Sequence, residues 1–377
     1  MKNNKLLAAA LLLMLALVLS ACSSSRSTSS SNNWPGVAVE EDTVYAANGS
    51  AIEAVRDGKR LWTYPTDGSN LQFFAAPAVD DTQVYAGTYS NQLHILNKED
   101  GTLAASIELG SSKEKVIASP ILADGNVIVL SSGGTVSAYK TDGSAEPVWQ
   151  TKLSNELWVT PTLDNGTLYI ITLDKKINLL DAATGALKQS VDINGAVMSE
   201  PVLYEGKLYF STFAKEVDAM DLTDGTISTV ITVDGEIWGA PLILNGKIIA
   251  ADMSGYLYIA DLESGELLWK SERVAAENYG FIASPVAVSE DTFAVVDETG
   301  VINTYDLDGK SVSQRTLGSA VYTTPASMEN GDIVVIPVSS DGDINVYTAD
   351  LKEEWAYKST AAEATADAAA ESTEEGK

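Results

Sequence analysis

Short apolar runs separated by polar turn pairs fill this chain from about residue 34 to residue 358. Between Pro241 and Trp269, Leu242-Ile243-Leu244 is followed by Asn245-Gly246 and then by Lys247-Ile248-Ile249-Ala250-Ala251. Ser254-Gly255 precedes Tyr256-Leu257-Tyr258-Ile259-Ala260, and Ser264-Gly265 precedes Glu266-Leu267-Leu268-Trp269. Runs of this length broken by Asn-Gly and Ser-Gly predict antiparallel hairpins. None has the length and three-to-four spacing of a helix. The stretch therefore predicts four strands.

The same phrase recurs along the chain. Pro77, Pro120, Pro161, Pro201, Pro241, Pro285 and Pro325 stand at steps of 43, 41, 40, 40, 44 and 40 residues. Eight residues after each is a large apolar residue: Tyr85, Ile128, Tyr169, Tyr209, Ile249, Phe293 and Ile333. A further copy beginning at Val37 lacks the proline and places Tyr45 at the same offset. An all-β unit repeated about every forty residues predicts a propeller. The expected fold is an all-β, eight-bladed β-propeller of four-stranded antiparallel blades. Blade starts are expected near Trp34, Phe74, Ile117, Trp158, Met198, Trp238, Ile282 and Tyr322. The copies run in phase, so closure by a strand from the other terminus is not required.

The large residues three places before each proline form a set of their own, Phe74, Ile117, Trp158, Met198, Trp238, Ile282 and Tyr322, with Trp34 in the first copy. One place before the proline stand Ala76, Ser119, Thr160, Glu200, Ala240, Ser284 and Thr324. Period-two geometry turns both sets to one side. Placed on the innermost strand, the large set is expected to pack between blades, with a ring around one channel mouth as the alternative.

The ends differ from the repeat. Lys2 and Lys5 precede an apolar run from Leu6 to Leu19 that ends in Leu19-Ser20-Ala21-Cys22. Residues 1–21 read as a secretory signal peptide. The Leu-Ser-Ala-Cys ending resembles the bacterial lipobox, which implies cleavage before Cys22 and lipid on that cysteine. Cys22 is the single cysteine of the chain, so no internal disulfide is possible. Acyl chains contribute about 0.8 kcal/mol per buried methylene, enough for several to hold the protein on a membrane. Ser/Asn-rich residues 22–33 read as a tether, residues 34–358 as the propeller, and residues 359–377 as a disordered acidic Ala/Glu/Thr tail.

Charge narrows the partners. The chain carries 52 acidic and 24 basic residues, a net charge of −28, and loss of Lys2 and Lys5 makes it more negative. Such a surface repels nucleic acid and anionic headgroups. The single histidine, His94, lies in the apparent strand Gln92–Leu96 and reads as structural. It cannot build a histidine-rich zinc site, and no G-x-S-x-G motif accompanies it. Acidic pairs such as Asp80-Asp81 read as solvated hairpin tips. Asp341-Gly342-Asp343 lacks the ligand series of an EF-hand. The expectation is no catalytic residue, no metal and no cofactor.

The ends of the repeats carry a family resemblance. Ala260-Asp261-Leu262-Glu263-Ser264-Gly265-Glu266-Leu267-Leu268-Trp269 resembles the Ala-x-Asp-x-x-x-Gly-x-x-x-Trp repeat of pyrroloquinoline-quinone-type propellers. Asp57-Gly58 with Trp62 keeps the Gly-to-Trp spacing. Asp181 and Gly185 keep the motif's first half, with Lys188 in place of the tryptophan. Trp149 and Trp355 stand at comparable blade ends. The resemblance spans residues 34 to 358 and implies that each tryptophan packs between neighbouring blades. The quinone-dependent oxidoreductases of this repeat type bring paired cysteines and a calcium–quinone site, neither of which can be matched here. Lipobox, tether and eight blades together resemble the BamB lipoprotein family. This resemblance implies a non-catalytic scaffold of outer-membrane β-barrel assembly that binds a protein partner of the cell envelope. The chain is expected to be a monomer, lipid-anchored on the outer side of the cytoplasmic membrane or on the outer membrane facing the periplasm. A ligand-binding or sensor propeller in an organism without an outer membrane is the alternative. Two blade-to-blade connections, Tyr64 to Phe73 and Ser271 to Gly280, read as longer than the rest. Pro65, Leu71, Val274 and Tyr279 on them, with Trp158 and Trp238 at the channel mouth, are the candidate partner-binding residues.

Overall fold

The computed structural model describes residues 36–338 and 343–358, and every regular element in them is a β-strand. The strands form eight four-stranded antiparallel sheets, each built from consecutive strands. Blade one comprises Gly36–Glu40, Thr43–Ala47, Ile52–Arg56 and Lys59–Tyr64; blade eight comprises Ala326–Ser327, Ile333–Val335, Ile344–Tyr347 and Glu353–Tyr357. The first strands of successive blades pack beside one another around the axis, and the first strand of blade eight packs beside that of blade one. This is the expected eight-bladed propeller. The expected signal peptide, Cys22, the expected tether, Trp34 and the acidic residues 359–377 lie outside the described residues.

Local chemistry sets the hairpins. Asn245 and Gly246 both have positive φ, 47° and 71°. A two-residue turn needs that pair of values to match the twist of the strands it joins, and Asn-Gly tolerates them best. The fourth strands are largely exposed, whereas the second and third are almost wholly buried. The residues eight places after each proline, such as Tyr85, Ile128 and Phe293, are among the fully buried ones.

There is no single central core. The buried apolar residues form eight clusters, one at each junction between adjacent blades. The junction of blades eight and one is of the same kind: Met328, Val334, Ile344 and Tyr357 meet Val44, Ala46 and Val55. Tyr357 Oη donates to the buried Glu53 carboxylate at 3.1 Å. No strand is exchanged between the ends of the ring, because the sheets of blades one and eight each consist of four consecutive strands. Side-chain packing closes it.

The tryptophans lock the blades as the repeat resemblance implied, each onto the blade that follows. Trp149 in blade three lies over Gly185 of blade four and donates Nε1–H to the Ala182 carbonyl at 3.0 Å. Trp62 lies over Gly101 and donates to the Lys98 carbonyl at 2.9 Å. Trp269 lies over Gly309, and Trp355 over Gly58 across the closing junction. The residue at the tryptophan position of blade four is Gln189, not Lys188. Gln189 pairs with Leu179 as Trp269 pairs with Ile259. The motif's own spacing, four residues from Gly265 to Trp269, likewise leads from Gly185 to Gln189, and the bulge beyond Leu179 leaves Lys188 out of the pairing. Lys188 instead pairs with Asp181 of its own blade at 3.0 Å.

Candidate functional site

Each blade proline stands immediately before its first strand, which opens at Ala78, Ile121, Thr162, Val202, Leu242, Val286 or Ala326. Proline has no N–H to give to a ladder, so it marks the edge of pairing. The blades therefore start later than expected from the sequence. The large residues three places before the proline belong to the incoming connections rather than to the innermost strands.

None of those large residues belongs to a junction cluster. The residues one place earlier do: Phe73, Val116, Leu157, Val197, Ile237, Phe281 and Val321 are all buried in the junction clusters. In the extended backbone of the connection, successive side chains alternate, so the next residue faces the axis. Met198, Trp238, Ile282 and Tyr322 line a water-open cavity of about 640 Å³ in the central channel. Phe74, Ile117, Trp238, Ile282 and Tyr322 line a second part of about 290 Å³. Trp158, in the equivalent place, is 41% exposed. The ring around the channel is the arrangement the structure has, in place of interblade packing.

The set one place before the proline ties the blades together around the axis. The Ser119 N–H donates to Thr160 Oγ1 of the next blade at 3.0 Å. The Ala240 N–H donates to Ser284 Oγ at 2.8 Å, and the Ser284 N–H to Thr324 Oγ1 at 3.0 Å. Short hydroxyl side chains suit this link, since they reach a neighbouring backbone donor without leaving the ring. Glu200 occupies the same position with a longer, charged side chain. It lines the larger cavity, where its side chain is exposed to the channel. The loss of bulk solvent pushes its carboxyl up to about 7.

The partner candidates are placed as follows. The connections between blades emerge on one face, together with the turns between second and third strands. The Gly49–Phe73 bridge ties one such turn to a connection. Leu71 and Val274 are half-buried and pack against junction clusters, so they anchor their connections. Pro65 is half-buried and follows a cis peptide bond. Tyr279 is 47% exposed. Trp238 packs against Phe213 at 5.7 Å as well as lining the channel. Trp158, Trp238 and Tyr279 are thus on connections of one face, but Tyr279 does not line the described channel cavity. A third connection, residues 109–120, is also longer than those at 153–161, 193–201, 233–241 and 317–325. It carries Lys115, whose ammonium lies 3.9 Å from the Tyr89 ring centre.

The histidine and the acidic turns have structural partners. His94 is buried; the Tyr64 hydroxyl meets its Nδ1 at 2.8 Å, and the Tyr64 and Phe73 rings meet it edge-on. Burial holds its pKa below the usual value, with the Glu108 charge opposing. The motif aspartates cap turns. Asp261 Oδ1 accepts from the Ser264 N–H at 2.8 Å and the Ser264 hydroxyl at 2.7 Å, and these bonds hold its carboxyl below the usual range. Among the described residues no group of three or more His, Cys, Asp or Glu is placed to hold a metal ion.

Fold and repeat define the class: an eight-bladed propeller of pyrroloquinoline-quinone-type repeats. The family model described as "Outer membrane protein assembly factor BamB" matches residues 40–156, 143–230 and 230–374. The chain belongs to that family. It is 23% identical over 323 residues to the outer membrane protein assembly factor BamB of Moranella endobia (strain PCIT), covering 81% of this chain and 70% of the relative. It is 26% identical over 164 residues to BamB of Yersinia pestis, covering 40% of this chain and 39% of that protein. The crystal structure of BamB from Moraxella catarrhalis superposes with a TM-score of 0.66 at 20% identity, covering 84% of this chain and 91% of that one. The computationally designed Ika8 protein superposes with a TM-score of 0.62 at 15% identity, covering 76% and 87%. A computationally designed protein matching nearly as well shows that these superpositions report architecture alone.

Proposed function

We propose that the protein is an envelope-anchored, non-catalytic scaffold that binds protein partners during outer-membrane β-barrel assembly. The relatives named as outer membrane protein assembly factors support this setting. Lipid on Cys22 and the tether at residues 23–33 hold the propeller, as a monomer, beside the outer membrane on its periplasmic side. The acidic body, with a chain net charge of −28, favours basic surfaces on the partner and keeps clear of anionic lipid.

The docking surface is the face bearing the connections between blades. The observation that carries this is a pair of exposed aromatic rings on it, Trp158 at 41% and Tyr279 at 47%. Large rings on rigid supports are the usual anchors of an interface. Leu71 and Val274 fix the connections from below, and Pro65 shapes the first of them. The test is capture from native membranes by wild type and by a Trp158→Ala, Tyr279→Ala double variant with unchanged thermal melting. Recovery of an outer-membrane barrel-assembly protein with wild type, and its loss with the variant, is the expected result. Equal recovery with both proteins would remove this face from the proposal.

A further inference from the structure

Glu200 is the one charged residue in a ring position that otherwise holds alanine, serine or threonine. Its counterparts Thr160, Ser284 and Thr324 use their hydroxyls to link blades. The Glu200 carboxylate makes no hydrogen bond or ion pair with any described residue. Among the described residues, Tyr322 is the other ionisable side chain that lines its cavity, and no lysine, arginine or histidine of theirs lines it. A neighbouring hydroxyl, Ser199 Oγ, is buried and without a hydrogen-bond partner. A carboxylate lining a channel without a counter-charge is partly desolvated, and a cation beside it is favoured.

The surroundings suit a particular cation. Trp238 and Tyr322 present aromatic rings, which attract ammonium and guanidinium groups. Met198 and Ile282 offer apolar walls to a methylene stem. The volume of about 640 Å³ lies within the range of small-ligand sites, about 300–1,000 Å³, and the cavity is open to water.

We infer that the central channel holds a binding site for an organic cation with an apolar stem, recognised by the Glu200 carboxylate between Trp238 and Tyr322. The ligand is a lysine-type side chain of a peptide segment or a free alkyl diamine. This goes beyond the scaffold reading and stands independently of which face a protein partner uses. With its carboxyl pushed up to about 7, Glu200 is mostly ionised at pH 8 and loses that charge below neutrality.

The experiment is calorimetric titration of the purified full-length protein at pH 8 with three probes. These are N-acetyl-lysine methylamide, cadaverine, and N-acetyl-norleucine methylamide, which keeps the stem and lacks the charge. One or both cations should bind about tenfold or more tightly than the norleucine probe, as expected for a charge-assisted contact. That preference should weaken as pH falls below 7 and should disappear in Glu200→Gln, while Trp238→Leu should weaken cation binding with the carboxylate kept. Tighter lysine binding identifies a peptide side chain as the source, and tighter cadaverine binding a free diamine. The wild-type comparison of charged and uncharged probes decides the matter even if a variant fails to fold. Equal binding of the norleucine probe, no cation binding at about 10 mM, a weak complex on the affinity scale, or unchanged binding by a folded Glu200→Gln protein would overturn the site.

Discussion

The blade locks make a prediction that can be worked through from geometry. Trp149 is 8% exposed, packs within the cluster joining blades three and four, and donates its N–H to Ala182 at 3.0 Å. Trp149→Ala removes the ring and leaves a cavity at the junction, a change that costs about 3–5 kcal/mol. Trp149→Phe keeps much of the packing but leaves the Ala182 carbonyl without that donor, and should cost about 1–2 kcal/mol. The partner glycine is the internal control. A methyl group on Gly185 would stand 2.3 Å from Trp149 Cε3 and 2.8 Å from Thr151 Oγ1, at a φ of +70°. Gly185→Ala therefore carries the left-handed backbone penalty of about 1–2 kcal/mol, plus an overpacking cost of about 1–3 kcal/mol. In a Trp149→Ala background the ring clash disappears, while the backbone penalty and the Thr151 contact remain. The two substitutions should thus be coupled by about 1 kcal/mol or more, with the double variant less damaged than the sum. Urea unfolding followed by both far-UV circular dichroism and fluorescence supplies the free energies, provided the two transitions coincide. A cost below about 1 kcal/mol for Trp149→Ala, or the same Gly185→Ala penalty in both backgrounds, would refute the lock.

Three further outcomes are expected. Tyr357→Phe removes the 3.1 Å bond to Glu53 across the closing junction and should destabilise the ring by about 1.5–3 kcal/mol, read as a lower melting temperature; an unchanged melt would show that closure does not use this contact. His94 has its pKa lowered by burial from 6.5, so the unfolded chain takes up the proton first as pH falls. Stability should therefore decline from about pH 6.5 down to the lowered folded value, and this decline should be smaller in His94→Gln; identical pH profiles would contradict the assignment. Cys22→Ser should move the protein from the membrane to the soluble fraction and change its electrophoretic mobility, and retention of both properties would count against lipidation.

Much of the architecture was legible because it rests on short-range rules. The Asn-Gly and Ser-Gly turns need particular φ values, so they announce hairpins wherever they fall. The prolines mark blade entry because they cannot join a ladder, and their phase fixed the number of blades. The tryptophan lock was legible only as a resemblance. Its partner glycine lies one blade further on, a contact that no spacing within the repeat shows, whereas Gln189 as the tryptophan counterpart follows from the four-residue step after Gly185. The channel ring was misassigned by a single step. Phe73 and Phe74, or Ile237 and Trp238, are adjacent residues of similar apolarity, and composition cannot tell which of the two faces the axis. The unused signal was the regular run of Phe73, Val116, Leu157, Val197, Ile237, Phe281 and Val321, a second apolar series in the same phase.

By itself, then, the sequence determined the strand type, the repeat and the eight-fold count, since turn chemistry and alternation are properties of neighbouring residues. Tertiary structure alone decided three things. It assigned alternate connection residues to junction or channel, because that depends on where the adjacent blade lies. It closed the ring by packing Trp355 and Tyr357 on blade one, residues some three hundred positions away that no local pattern connects. It also placed Glu200 on a channel cavity that Trp238 and Tyr322 line as well. Partial desolvation in the channel and the company of distant side chains come from the folded ring, and they set the chemistry of that group.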